Sequence, residues 1–206
     1  MKTKDADEAE DLIALIDLDG TLADYDGEMK RQQALLASPN EPPFTDRYDE
    51  GGEEPPYIEA RRKMIQRQPG FWKGLKKLPL GFDVLTQLRV AEFELHILTK
   101  GPQNNGMAWM EKLEWSREHV SDAIVHVSGR KSLVYGRILV DDYPEYFEGW
   151  LKVRPRGQVI CLPCAWNEAY AKGGSKEHPR VLRYDGTNLD ELKKTVDAAR
   201  RRKSGG

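Results

Sequence analysis

The sequence predicts an α/β fold: a Rossmann-like, doubly wound parallel sheet with an inserted, mainly helical cap. Three observations support this. Short continuous apolar runs end in polar residues, as buried parallel strands do. Helix-spaced apolar patterns lie between the runs. The interval between the first two runs is too long for one crossover helix.

Leu12-Ile13-Ala14-Leu15-Ile16 is the first run and ends in Asp17. Residues 93–98 form the second, ending in Thr99, and residues 123–127 the third. Ile138-Leu139-Val140 is the fourth and meets Asp141 and Asp142; residues 158–162 are a fifth, stopped by Pro163. Phe82, Leu85 and Leu88, with Val84 and Ala91, have helix spacing ahead of the second strand. Met107, Met110 and Leu113, with Trp109 beside them, predict a helical face ahead of the third. Asn188 with Glu191 reads as a capping box before an apolar face of Leu189, Leu192 and Val196.

Residues 38–56 hold Pro39, Pro42, Pro43, Gly51, Gly52, Pro55 and Pro56, which is loop chemistry. Helices are expected on either side, over about 23–36 and 58–68. The expected division is a core of residues 12–22 and 78–206, a cap over 23–77, and an acidic, disordered start over 1–11. A disordered insertion is the alternative to a cap.

The chain has 206 residues, 39% of them hydrophobic, with 32 basic and 34 acidic side chains and a formal charge of -2. That balance gives no drive toward polymeric nucleic acid or anionic lipid. Arg200, Arg201, Arg202 and Lys203 read as a solvated end. No apolar run approaches the roughly 20 residues of a membrane span, and no secretory signal is visible. Cys161 and Cys164 have C-x-x-C spacing but lack a redox context, and one pair is half a zinc site, so they read as structural. A reducing cytoplasm is the expected compartment.

Four polar sites fall at or after predicted strand ends: Asp17 with Asp19, Thr99, Lys131, and Asp141 with Asp142. An open α/β sheet gathers such ends along one edge, where ligands bind. A carboxylate such as Asp17 can attack phosphorus and form an aspartyl-phosphate. Asp19 can protonate the leaving oxygen and then activate water. Gly20 permits a tight turn near the phosphate. Asp17 and the Asp141/Asp142 pair supply the hard oxygen ligands that Mg²⁺ prefers. Thr99 offers a hydroxyl to phosphate, and Lys131 a point charge. Singly, each is more often a cap or turn residue; their order along the chain gives them meaning together.

Asp17-Leu18-Asp19-Gly20-Thr21-Leu22, Thr99, Lys131 and Asp141-Asp142 resemble the four motifs of the haloacid dehalogenase-like superfamily, over residues 12–167. The resemblance implies a Rossmann-like fold, Mg²⁺, Asp17 as nucleophile and Asp19 as acid/base, with the Asp19 carbonyl also on the metal. A narrower resemblance is to the 5′(3′)-deoxyribonucleotidases. It rests on Asp19-Gly20-Thr21-Leu22-Ala23-Asp24-Tyr25, on Pro69-Gly70-Phe71-Trp72 through Leu78-Pro79-Leu80-Gly81, and on Ser128-Gly129-Arg130-Lys131 through Leu139-Val140-Asp141-Asp142-Tyr143-Pro144. It implies Asp142 as the direct metal ligand and Asp141 as a close supporting group. This chain departs from that family after Thr99, where Lys100-Gly101-Pro102 replaces Ser-Pro and Lys100 adds a cation that could bind phosphate. The stretch 38–56 also matches a family cap helix poorly.

A nucleobase needs a flat apolar slot, and Tyr25, Phe71 and Trp72 are its candidates; packing is their plainer explanation. Trp109, Trp115, Trp150 and Trp166 read as core or surface packing, and His96 and His126 as hydrogen-bonded core residues. Arg61, Arg62 and Lys63 read as a solvated helix face within reach of a phosphate. The expected function is a Mg²⁺-dependent phosphomonoester hydrolase acting on (deoxy)ribonucleoside monophosphates, with a homodimer left open. The alternatives are another substrate (a phosphoprotein, a sugar phosphate or a polynucleotide end) and a non-catalytic nucleotide-binding module.

Overall fold

The computed structural model describes residues 12–42, 44, 54–102 and 104–201. The acidic start over 1–11, the loop residues Pro43, Gly51 and Gly52, and Arg202 and Lys203 of the tail lie outside the described residues. Among the described residues are six strands: β1 Ile13–Ile16, β2 Glu94–Thr99, β3 Ile124–Val127, β4 Ile138–Val140, β5 Gln158–Cys161 and β6 Val181–Arg183. The helices are α1 Tyr25–Leu35, α2 Pro56–Ile65, α3 Pro79–Val90, α4 Gly106–His119, α5 Pro144–Val153 and α6 Leu189–Arg201.

The six strands form one sheet in the order β3-β2-β1-β4-β5-β6, and every pairing is parallel. Side chains alternate between faces along each strand. Ala14, Ile16, Ile97, Val140 and Ile160 join one apolar cluster with Val84 and Leu88 of α3, Trp115 of α4 and Leu192 and Val196 of α6. Leu15, Leu98, Leu139 and Val159 join a second with Phe147 and Trp150 of α5. Helices on both faces explain why the strands read as continuous apolar runs. The chain runs outward from β1 to β2 and β3, then crosses back to β4 on the other flank. The switch point therefore lies between β1 and β4, where such sheets bind ligands.

Two features went unread in the sequence. β6 is an edge strand of three half-buried residues, without an apolar run to mark it. Helix α5 starts on Pro144 and buries Phe147, Trp150 and Leu151 at helix spacing. One expectation is corrected. Helix α4 forms, but Met107 and Met110 are exposed. Its buried face carries Ala108, Glu111, Lys112, Trp115 and Ser116. Two charged residues replace apolar ones on that face because both find partners inside, so apolar periodicity pointed the wrong way.

After β1 the chain leaves through α1 and α2 and returns beside its point of exit. Ala23 bridges Lys77 in antiparallel fashion, and Leu78 N–H donates to the Leu22 carbonyl at 2.8 Å. Asp24 caps α1 by accepting from Gly27 N–H at 2.9 Å, a contact worth about 1 kcal/mol. Gln33 donates to the Ile58 carbonyl at 3.3 Å and ties the two helices together. Met29, Ile65, Phe71 and Trp72 join the same apolar cluster as α3, so this excursion rests on the core. Arg61 pairs with Glu41 at 2.8 Å and Arg62 with Glu54 at 2.6 Å, which pins both described ends of the proline-rich loop to α2.

Candidate active site

Asp17 leaves the end of β1 with its N–H bonded to the Val140 carbonyl of β4 at 2.8 Å. Its Oδ1 accepts from Leu18 N–H at 2.8 Å, and its Oδ2 lies 2.7 Å from the Lys131 ammonium. Gly20 has φ +74°, and a Cβ there would stand 2.8 Å from Asp142 Oδ2. Glycine thus serves both the turn and the close approach of β4's acidic end. Gly81 at the start of α3 faces the Thr21 carbonyl so closely that no Cβ fits, which locks the turn after Asp19 onto the core.

Lys131 heads a short 3-10 turn, Lys131–Leu133, that follows β3. Its ammonium is 2.7 Å from both Asp17 and Asp141. Burial works against its charge, but the carboxylates of Asp141 and Asp17 outweigh it and hold the pKa above the usual lysine range. Asp141 is fully buried. It spends Oδ2 on Lys131 and Oδ1 on the Tyr143 N–H at 3.0 Å. Burial raises its carboxyl to about 6, against the pull of Lys131. Asp142 accepts from Thr21 Oγ1 at 3.3 Å and from Trp166 Nε1 at 3.1 Å. Burial, and then the charges of Asp141 and Asp17, push its carboxyl well above the usual range.

Oxygens of Asp17, Asp141 and Asp142 lie within 4.8 Å of one another. Lys131 offsets only part of that negative charge. A hard divalent cation fits this donor set, since it would offset the charge of three carboxylates buried together. Asp17 and Asp142 line the open cavity, whereas Asp141 does not.

Asp19 presents Oδ2 to the Lys112 ammonium. Its Oδ1 is buried without a hydrogen-bond partner among the described residues. Burial raises its carboxyl, Lys112 opposes that rise, and Asp17 adds to it. Thr99 closes β2, is fully buried, and sits 3.3 Å from the Lys112 ammonium through its hydroxyl. Lys100 reaches outward to the Tyr146 hydroxyl at 3.2 Å.

These groups border one cavity of about 420 Å³. Asp17, Asp19, Lys131 and Asp142 line it together with Tyr25, Trp72 and Lys100. Thr99 and Asp141 sit behind that lining. Phe71 is not brought to the cavity; it packs edge-on against Tyr25 and Trp72. Tyr25 and Trp72 stack on each other with centroids 5.4 Å apart, which leaves no slot between them. Gln66 donates to the Tyr25 hydroxyl at 2.7 Å and accepts from Trp72 Nε1 at 3.0 Å through its carbonyl. The aromatic pair is therefore fixed from α2.

Several lining residues escaped the sequence reading. Trp166, expected to be plain packing, lines the cavity and donates to Asp142, because a short turn after β5 swings it back over β4. Lys112 lies in a helix where nothing marked it out. Gln66 falls inside the helix expected over about 58–68, where nothing singled it out. Arg62, expected on a solvated face, also reaches the cavity wall. The cysteines are free; burial raises the Cys161 thiol to about 12 and lifts that of Cys164 as well. His126 and His96 meet across β3 and β2 at 3.0 Å, away from the cavity. Among the described residues no helix is long and apolar enough to cross a membrane.

A doubly wound sheet with an aspartate pair at one strand end, facing a second acidic end and a buried lysine, is the site of a haloacid dehalogenase-like phosphatase. A solved structure agrees on the fold. A haloacid dehalogenase family hydrolase from Deinococcus radiodurans R1, crystallised with phosphate and sodium, superposes with a TM-score of 0.56 at 16% identity, covering 93% of this chain and 97% of its own. A family IA, variant 3 hydrolase of the same class from Entamoeba histolytica aligns with a TM-score of 0.46 at 13% identity, covering 90% and 99% of the two chains. No curated protein sequence matches. Residues 11–172 match the sequence family described as 5′ nucleotidase, deoxy (pyrimidine), cytosolic type C (NT5C), and the chain belongs to that family.

Proposed function

We propose that the protein is a Mg²⁺-dependent 5′(3′)-deoxyribonucleotidase that hydrolyses (deoxy)ribonucleoside monophosphates through an aspartyl-phosphate. One observation carries the reading: Asp17, held by Lys131, and Asp19, with one oxygen unpartnered, line the same cavity beneath the Tyr25–Trp72 pair. An Asp17 carboxylate oxygen attacks phosphorus, and the bond to the nucleoside oxygen breaks as Asp19 delivers its proton to that oxygen. Asp19, now ionised, takes a proton from water as the water attacks the phosphorus. Inorganic phosphate leaves, and Asp17 is regenerated.

Lys131 holds the nucleophile and faces the phosphoryl charge. Thr99 and Lys100 contribute a hydroxyl, backbone N–H groups and a cation toward phosphate oxygens. Asp17, Asp142 and the Asp19 carbonyl would hold the Mg²⁺, with Asp141 steadying Lys131. When bound, the metal would offset repulsion between the Asp17 carboxylate and the phosphate dianion. Tyr25 and Trp72 offer the base an aromatic edge and outer face. Residues 23–77 act as the cap that sets substrate size, and the free cysteines suit a reducing cytoplasm.

The test is phosphate release from a panel of ribo- and deoxyribonucleoside monophosphates. We expect turnover with Mg²⁺, none with EDTA, and none for Asp17→Asn. Turnover of sugar phosphates or phosphopeptides with no nucleotide hydrolysed would replace the substrate and keep the chemistry.

A further inference from the structure

Lys112 is only 1% exposed, yet it lies in the middle of a helix with no repeat or motif around it. An ammonium carries three N–H donors, and three acceptors meet this one. They are Asp19 Oδ2, the Lys100 carbonyl at 2.7 Å and the Thr99 hydroxyl at 3.3 Å. The ammonium also sits 4.4 Å from the centroid of the Trp72 ring. These four neighbours span three parts of the site: the acid/base, the phosphate loop and the aromatic wall. A buried lysine is costly unless it is paired, and here all its pairing is spent on groups around the cavity. Lys131 does not share this task, since its partners are Asp17 and Asp141.

We propose that Lys112 is a positioning residue for the leaving-group step. It grips Asp19 by Oδ2 and so fixes the orientation of the carboxyl that hands its proton to the leaving oxygen. The inference rests on the phosphatase reading above, in which Asp19 moves that proton. Lys112 touches no reacting atom, so its effect passes through Asp19.

The consequence is dependence on the leaving group. A nucleoside alkoxide needs a proton to leave, whereas p-nitrophenolate leaves without one. The experiment compares wild type, Lys112→Met, Asp19→Asn and the double variant on the best nucleoside monophosphate. It adds single-turnover release of p-nitrophenolate from p-nitrophenyl phosphate, which reads the first step alone. Lys112→Met should lower kcat for the nucleotide roughly 100-fold, the low end of what a general acid supplies, with KM changed less than about threefold. In the Asp19→Asn background the same change should cost less than about threefold further, since the two act as one unit. First-turnover p-nitrophenolate release should fall less than about tenfold. Lys112→Gln, which keeps one N–H donor toward Asp19, should recover part of the loss. It also carries the cycle if Lys112→Met does not fold.

Losses that multiply independently in the two backgrounds, or that are equal for both leaving groups, overturn the inference and reduce Lys112 to a packing residue. A wild-type enzyme that releases phosphate from no monoester overturns the phosphatase reading itself. Active wild type with independent losses overturns only the role of Lys112.

Discussion

Two buried lysines reach the same cavity and face opposite electrostatic problems. Lys131 pairs with Asp17 and Asp141 beside Asp142, so one cation meets three carboxylates; burial first, and the neighbouring carboxylates after it, raise both carboxyls after β4. Lys112 faces one carboxylate, Asp19, with a carbonyl and a hydroxyl completing its shell. The first arrangement is under-neutralised and can take a cation. The second pairs one cation with one carboxylate. The metal half and the acid/base half of the site are thus separable by charge, although Asp17 and Asp19 are only two residues apart.

Neutralising the nucleophile should have the largest effect: Asp17→Asn should lower phosphate release at least about 10⁴-fold, as loss of other covalent nucleophiles does. Lys131→Met comes next. It leaves Asp17 and Asp141 buried without their cation, which should cost about 3–5 kcal/mol of stability in thermal or denaturant unfolding, and most of the activity. Lys112→Met should destabilise less, since one carboxylate loses its partner instead of two. Equal destabilisation by the two changes would erase the distinction between the halves.

The metal half can be probed without turnover. Mg²⁺ at about 100 times its dissociation constant should stabilise the protein by about 2.7 kcal/mol, read as a rise in unfolding temperature. Asp142→Asn should abolish that rise. Trp166→Phe removes the indole N–H donated to Asp142, along with the ring that carries it, and should weaken Mg²⁺ about 10-fold, at the low end for a group that orients a ligand. Asp19→Asn keeps the backbone carbonyl and should leave the Mg²⁺ effect largely intact.

The halves also differed in how plainly the sequence showed them. Asp17, Asp19, Lys131 and the Asp141-Asp142 pair follow apolar strands, and a parallel sheet leaves few places for such residues except one edge. All five expected strands were legible within a residue of each end for a related reason, because a largely buried parallel run has few polar interruptions. Lys112 was hidden by the opposite circumstance. The apolar residues of α4, Met107 and Met110, face solvent, while Glu111 and Lys112 face inward. Glu111 is held there by the N–H groups of Gly70 and Trp72 at 2.6 and 3.1 Å. A polar pair inside the stripe Ala108, Lys112, Trp115, Ser116 is a readable signal, but only when small and aromatic residues are counted as a face. Trp166 carried no such periodicity, since it sits in an irregular turn after β5.

The smallest expected effect concerns a half-buried base whose hydrogen-bond partner is another imidazole. His126 meets His96 at 3.0 Å, and Glu94 approaches only the far nitrogen of His96, at 3.2 Å. Burial and the neighbouring imidazole therefore lower the His126 pKa below its ordinary 6.5, whereas Lys131 keeps its proton because carboxylates surround it. A base whose folded pKa is depressed binds fewer protons folded than unfolded below pH 6.5, so stability is lost as pH falls through that value. Between pH 7 and 5.5 the wild-type unfolding temperature should drop about 1–2 °C more than that of His126→Gln, the shift that roughly half a kcal/mol makes in a chain of this size. The carboxyls near Asp142 titrate in both proteins and cancel in the difference. An identical pH slope for the two proteins would mean that a half-buried base in this sheet holds its proton without a carboxylate partner, and the contrast with Lys131 would lose its physical basis.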